Sequence, residues 1–337
     1  MPNSLCRNAI FAAALCLTSS FARAQFPQPD GGGLERGVLP ARWLSQGNKC
    51  MEMPDWQIHE YNKDFYILRQ SPYTDFEKPL IFLFFGKDKA LLADTGSANG
   101  NLAPSLKIVM DRWLARNHRT SIPLIVTHTH SHEDHTWGDK AVQAMNDPAF
   151  PVTFVASDIE AQKKFYGIKN WPTDVVQYDL GGRILDIVPI PGHTHEDLAF
   201  YDRNTGVLLT GDTLYPGRIF VEHFAEFQES VVRLVKFTEG KPIAHTLGDH
   251  IEQTTTPFLD YPEGTLFQPD EHELAMPVGS LVELRDALLS MNGKPRRLAM
   301  RDFSIYPMEF GLITREERKH VEAYMKVQKD HMWDPQK

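Results

Sequence analysis

Cysteine is almost absent from this chain, with three in 337 residues. Two of them, Cys6 and Cys16, sit in an N-terminal stretch that reads as a removable leader, which would leave Cys50 alone. A lone cysteine forms no intramolecular disulfide, and no Cys-His nucleophile arrangement is evident around it. An excess of basic charge is also missing. Lys and Arg number 35 against 44 Asp and Glu, a formal charge of −9. That balance speaks against a nucleic-acid partner, which favours a basic face. Beyond the N-terminus no apolar run is long enough to suggest stable membrane insertion. Low-complexity tracts and short-period repeats are missing too. With 42% hydrophobic and 23% charged residues, the chain has the make-up of a globular protein with a sizeable core.

The N-terminus carries the marks of an export signal. Arg7 supplies a thin positive region, Ile10 to Leu17 a short apolar one, and Ala22-Arg23-Ala24 a small-x-small cleavage site. Cleavage after Ala24 is expected, with a periplasmic or secreted product beginning at Gln25. Leu15 ahead of Cys16 argues against lipoprotein processing. Loss of residues 1–24 removes two arginines and no acid, moving the formal charge from −9 to −11.

Residues 25–54, with Pro27, Pro29 and the glycines at 31–33, read as a lead-in. The main domain is expected over 55–255. Phe65–Leu68, Leu80–Phe85 and Ala90–Ala93 are short runs rich in aromatic and branched residues, which predicts successive strands. Apolar positions 106, 109, 110, 113 and 114 predict a helix over 105–116, with Pro104 at its start. Strands follow at 122–126, 152–155, 184–190, 198–201 and 207–209. Helices are expected at 140–145 and 158–166, and around 231–237 with an end at Gly240. The remainder, 256–337, reads as an extension packed on the same domain. It carries two helices: Ser280 with Glu283 suggests a capping box for one ending near Gly293, and Thr314 with Glu317 for another. This order suits an α/β protein of mixed sheets with helices on the outer faces.

The chemistry concentrates in His130-Ser131-His132-Glu133-Asp134-His135. Metal ions need several lone-pair donors converging on one point, and three His and an Asp within six residues leaving a strand provide them. Further candidates lie downstream: His193 after Pro191-Gly192, Asp212 after Gly211, and His250 after Gly248-Asp249. Each follows an apolar stretch and a glycine, whose missing Cβ permits tight backbone geometry beside a ligand. His128, two residues before this run, is not taken as a ligand. His195 is expected to support the ligands from behind or to line the pocket, His245 stands as a substitute for His250, and Trp137 as a pocket wall or core residue.

HxHxDH, Gly-His, Gly-Asp and a last His, in this order, resembles the metallo-β-lactamase superfamily. The resemblance implies a four-layer αββα sandwich of two mixed sheets. It implies one metal on His130, His132 and His193, a second on Asp134, His135 and His250, and Asp212 bridging both. Asp94, in Asp94-Thr95-Gly96, is implied to organise ligands rather than to bind metal. Two Zn²⁺ ions suit the set, and Fe or Mn also occur in such proteins. The implied activity is hydrolysis of an ester, lactone, thioester or amide bond of a small molecule by metal-activated water, with Asp134 orienting the water. Asp at the bridging position resembles the glyoxalase II, lactonase and phosphodiesterase branches. Tyr215, three residues after Asp212, resembles a phenol that contacts substrate in lactone-cleaving members, or else packs beside the site. An exported β-lactamase and a mononuclear-iron sulfur oxygenase are the alternatives. The glutathione thioester of glyoxalase II is mainly cytosolic, which weighs against that substrate for an exported protein. Oligomeric state is left open.

Overall fold

The computed structural model describes residues 33–43, 53–308 and four helical residues between 319 and 327. The leader, most of the lead-in and the Thr314–Glu317 capping box lie outside the described residues.

Strand Leu80–Phe85 explains the architecture. Its six residues are apolar and all buried, with no polar alternation. A strand that is apolar on both sides needs cover on both sides. Leu80, Phe82 and Phe84 face one apolar cluster and Ile81, Leu83 and Phe85 another.

This strand is β3 of a six-stranded mixed sheet in the order β1 (Trp56–Asn62), β2 (Phe65–Gln70), β3, β4 (Ala90–Ala93), β5 (Leu124–Thr127), β6 (Val152–Phe154). The second sheet runs β13 (Ala275–Met276), β12 (His245–Leu247), β10 (Val207–Leu209), β9 (Leu198–Asp202), β8 (Ile184–Pro189), β7 (Val176–Asp179). Between them Phe65, Phe82, Phe84 and Leu91 of the first sheet meet Leu185, Phe200, Val207 and Leu247 of the second. Arg183 enters this layer as well, its guanidinium on Asp202 and over the Phe84 ring at 5.1 Å.

Helix α1 (Leu102–Arg116) covers the outside of the first sheet. It buries Leu102, Leu106, Val109, Met110, Trp113 and Leu114, the face that 3.6-residue periodicity selects. It begins two residues before Pro104, earlier than expected. A single-turn helix α2 (Glu133–Thr136) and helices α3 (Asp139–Met145) and α4 (Ile159–Tyr166) follow. Asp158 caps α4 by accepting from the Ala161 amide. Outside the second sheet lie α5 (Phe224–Thr238) and α6 (Val278–Ser290), packed over Val188, Ala199 and Leu208. The result is an α/β fold, a four-layer αββα sandwich. A small sheet of β11 (Arg218–Val221), β15 (Ser304–Pro307) and β14 (Leu298–Ala299) adjoins the second outer layer.

Two expectations change. Helix α6 starts at Val278, with Pro277 in the capping position and no side-chain cap, so the Ser280–Glu283 box does not form. Ser280 lies buried in the first turn, its amide donating to the Pro277 carbonyl. The segment after 255 also contributes β13 to the second sheet and α6 to the outer layer. Its polar stretches are tied down by buried ion pairs. Arg69 of β2 makes a two-pronged bond to Glu271 at 2.8 and 2.5 Å, and Arg218 engages Glu252 and Asp260. No described helix is long and apolar enough to cross a membrane.

Candidate metal centre

Strand direction decides where the chemistry gathers. β4 and β5 run parallel, as do β10 and β12, and β8 shares the direction of β10 through the antiparallel β9. The C-terminal ends of these strands therefore share one edge of the sandwich. Asp94 follows β4, His130 to His135 follow β5, His193 follows β8, Asp212 follows β10 and His250 follows β12.

Two triads form there. His130 Nε2 and His193 Nε2 lie 3.1 and 3.0 Å from His132 Nδ1. Asp134 Oδ2 lies 3.1 Å from His135 Nε2 and 3.2 Å from His250 Nε2. Asp212 sits between them. Its Oδ2 is 3.8 Å from His130 and His135 and 3.5 Å from His193, and its Oδ1 faces His250 at 3.4 Å. All seven residues singled out as ligands in the sequence are thus brought to one place. Local structure aims them: the chain bends at Thr129 and His130 after β5, His132 is extended, and the turn α2, begun on the His132 carbonyl, swings Asp134 and His135 back.

The outward nitrogens of the five imidazoles fix what the inward ones can do. His193 Nδ1 lies 2.7 Å from the Phe220 carbonyl and His250 Nδ1 3.1 Å from the Glu77 carbonyl. His135 Nδ1 faces Asp94 Oδ2 at 3.2 Å, His130 Nδ1 faces Thr129 Oγ1 at 3.0 Å, and His132 Nε2 faces Glu222 Oε1 at 3.3 Å. An imidazole that gives its proton to an outer acceptor presents a lone pair on the other side. Five lone pairs then converge with two carboxylates, and Asp212 Oδ1 is buried without a hydrogen bond. Such a donor set fits cations, and its imidazole and carboxylate chemistry suits Zn²⁺, Fe or Mn.

The groups also interact strongly through their charges. Burial pushes Asp212 up, but His250, His135 and His193 outweigh it and hold the carboxyl at about 2. Burial pulls His135 and His250 down, yet the surrounding carboxylates raise both well above the usual histidine range. His130 goes the other way, lowered by burial and by its histidine neighbours.

Asp94 stands behind His135, and its carboxylate, His135 and Asp249 form a further group of converging ligand atoms. Asp94 is fully buried, with φ of 67° in the left-handed region. Oδ1 accepts from the Thr129 amide and Oδ2 from the Thr129 hydroxyl, both at 2.8 Å, alongside its contact with His135. Asp249 joins from the other side, its Oδ2 3.1 Å from Thr129 Oγ1 and 3.5 Å from His135 Nδ1. Glycines permit the close approach of the loops. A Cβ on Gly192, whose φ is 145°, would lie 2.2 Å from the Phe227 Cα, and one on Gly248 2.3 Å from the Leu214 carbonyl oxygen.

The other residues singled out in the sequence lie outside the two triads. The Tyr215 hydroxyl donates to the Arg218 carbonyl and the residue is buried; its ring packs edge-on against His250 at 5.4 Å. The packing alternative, rather than a phenol presented to substrate, is the arrangement seen. His128 turns to Asp139 and Asp94 at 3.4 and 3.7 Å and joins neither triad. His245 packs against Tyr61. Trp137 is half exposed rather than core. His195 stacks on His223 with centroids 3.6 Å apart and pairs with Glu226. Glu222 and Thr129 carried no signal in the sequence, because neither lies in a spacing that a ligand motif requires. Asp249 stood beside His250 without an assigned role.

Comparison with known proteins matches residues 75–286 to the family described as the metallo-beta-lactamase superfamily, a span that contains every residue of the two triads. A hydroxyacylglutathione hydrolase of Aeromonas hydrophila subsp. hydrophila is 26% identical over 236 residues, covering 68% of this chain and 82% of that protein. An acyl-coenzyme A thioesterase of Bos taurus is 22% identical over 232 residues, covering 59% of this chain and 83% of the relative. Among solved structures, a metallo-beta-lactamase from Pontibacter korlensis aligns with a TM-score of 0.45 at 15% identity, over 69% of this chain and 99% of that one. The chain belongs to the metallo-β-lactamase superfamily and is a hydrolase of that family.

Proposed function

We propose that the protein is a dinuclear zinc hydrolase that cleaves the thioester bond of a small molecule. The observation that carries the reading is the convergence of two triads on Asp212, with every imidazole's outer nitrogen on an acceptor. His130, His132 and His193 would hold one ion, Asp134, His135 and His250 the other, and Asp212 both. Bound metal ions would polarise the carbonyl and lower the pKa of a water toward neutrality.

The chain's own residues do the rest. Burial pushes Asp134 up, but the charges of His135 and His250 hold it well below the usual carboxylate range. An ionised Asp134 would accept a hydrogen bond from the attacking water. Histidines whose outer nitrogens are fixed cannot rotate, so the centre is set before substrate arrives.

Thioesters are favoured over other acyl compounds by the leaving group. A thiol ionises near pH 8.5 and departs as thiolate, whereas an alkoxide or amine needs a proton as it leaves. The phenol of Tyr215, the candidate proton donor, is bound to the Arg218 carbonyl. The two relatives named above also act on thioesters by their names. A sulfur oxygenase with one iron would have no need of the second triad. The leader-like residues 1–24 support action outside the cytoplasm, which N-terminal sequencing of the exported protein would test.

The test is metal analysis joined to a hydrolase panel of thioesters, lactones, phosphodiesters and β-lactams. Two zinc ions per chain and turnover of thioesters are expected. The double variant His130→Ala with Asp134→Ala should lose both metal and turnover, and full activity in it would sink the reading.

A further inference from the structure

The loop that carries His193 is also the floor of a cavity. The Ser230 hydroxyl of α5 donates to the Pro191 carbonyl at 2.7 Å, and the His223 amide donates to the Gly192 carbonyl at 2.9 Å. From the other side, the Gln162 amide of α4 donates to the Glu196 carbonyl at 3.0 Å. Two helices therefore grip the loop, and a hollow of about 250 Å³ is left between them. Ile159, Trp171, Pro172 and Pro191 give it apolar walls. Trp171 is half-buried, its other side against the core between the sheets, so that wall is anchored.

The carboxylates around the hollow are already engaged. Glu226 is hydrogen-bonded to His195 at 2.9 Å, and Glu229 lies in the field of Arg233. The apolar wall is the surface left for a ligand, and it calls for a neutral group. The volume is below that of a whole drug-sized ligand, so it suits one arm of a substrate. The loop that carries His193 lines it through Pro191 and His195, and His195 stacks on His223, the neighbour of the Glu222 that contacts His132.

We infer that this hollow receives a hydrocarbon acyl group of the substrate, placing its carbonyl over the centre. The inference rests on the hydrolase reading and adds the substrate class to it. An apolar group entering the hollow leaves water for Trp171 and Ile159. Each further methylene should then raise kcat/KM by about four-fold until the space is filled.

The experiment uses the zinc-loaded protein and acyl thioesters from acetyl to octanoyl. In the unaltered protein kcat/KM should climb with chain length. Trp171→Ala should flatten the climb and leave acetyl turnover near its original value. Ile159→Trp, which fills the hollow, should lower turnover of the longer acyl groups by about ten-fold or more and spare acetyl. A flat profile in the unaltered protein, or the same profile in all three, overturns the acyl pocket while leaving the hydrolase reading intact. If no thioester is turned over, the thioester reading fails, and the hollow is judged by hexanamide binding. A shift of the Trp171 indole NMR signal that Ile159→Trp abolishes upholds it, and no shift overturns it.

Discussion

Glu222 Oε1 lies 3.3 Å from His132 Nε2, at the one histidine of the centre that turns its Nδ1 inward. His132 is also the most exposed of the five, its side chain 38% accessible, so packing alone does not hold it. The carboxylate keeps the proton on Nε2 and the lone pair on Nδ1. Glu222→Ala is expected to weaken metal binding at the first triad by about 10–100-fold, with Glu222→Gln intermediate. Competition with a chromophoric chelator reads this directly, and equal affinities in all three proteins would remove Glu222 from that role.

Tyr215 separates a phenol that works on substrate from one that works on structure. Its hydroxyl serves the Arg218 carbonyl at the start of β11. Tyr215→Phe should therefore change kcat by less than about three-fold and cost roughly 1–2 kcal/mol of stability. A hundred-fold fall in kcat with unchanged stability would restore the phenol to the chemistry.

Gly192 is where α5 rests on the His193 loop. At φ of 145°, with a Cβ 2.2 Å from the Phe227 Cα, alanine is both strained and without room. Gly192→Ala is expected to destabilise the fold by about 3 kcal/mol and to loosen the first metal before the second. Denaturant midpoints and metal stoichiometry check the two effects separately.

Lys78 is fully buried, donating to the Phe76 and Thr265 carbonyls and so tying the loop after β2 to the later chain. Burial, aided by the charge of Arg69, pulls its ammonium down to about 8 from an ordinary 10.5. Between those values the unfolded chain binds more protons than the folded one, so stability rises with pH. The penalty for burying the charge is fully present below about pH 8 and relieved by about pH 10.5. Relative to Lys78→Met, the unaltered protein should gain roughly 3 kcal/mol over that window. Denaturation curves of both proteins from about pH 7 to pH 10 test it, and parallel pH dependence would contradict it.

The centre was legible because its ligands announce themselves locally. Four of the seven stand within six residues; His193 and Asp212 directly follow glycines of positive φ, and His250 lies two residues after Gly248. The unbroken apolar run of β3 likewise displays its two covered faces. What stayed hidden has no local signature. β1 has just Trp56 and Tyr61 buried among polar residues, as an edge strand does. β13 and β14 are two residues each, too short for alternation. Glu222 meets His132 across 90 residues of chain. Ser280 and Glu283 matched a capping pattern, yet the chain had already entered the helix from Pro277. Three-residue spacing from Asp212 placed Tyr215 near the centre but said nothing of where its hydroxyl points.

Each triad draws two ligands from the loop after β5 and one from a loop of the other sheet, His193 in one case and His250 in the other. Neither sheet can bind an ion alone. Metal affinity and the docking of the two sheets are then one thermodynamic quantity seen from two sides. An ion at a hundred times its dissociation constant would add about 2.7 kcal/mol to the assembled state. Chelation should accordingly appear in calorimetry as a lower melting temperature, and in hydrogen exchange as faster opening along the strand ends that carry the ligands.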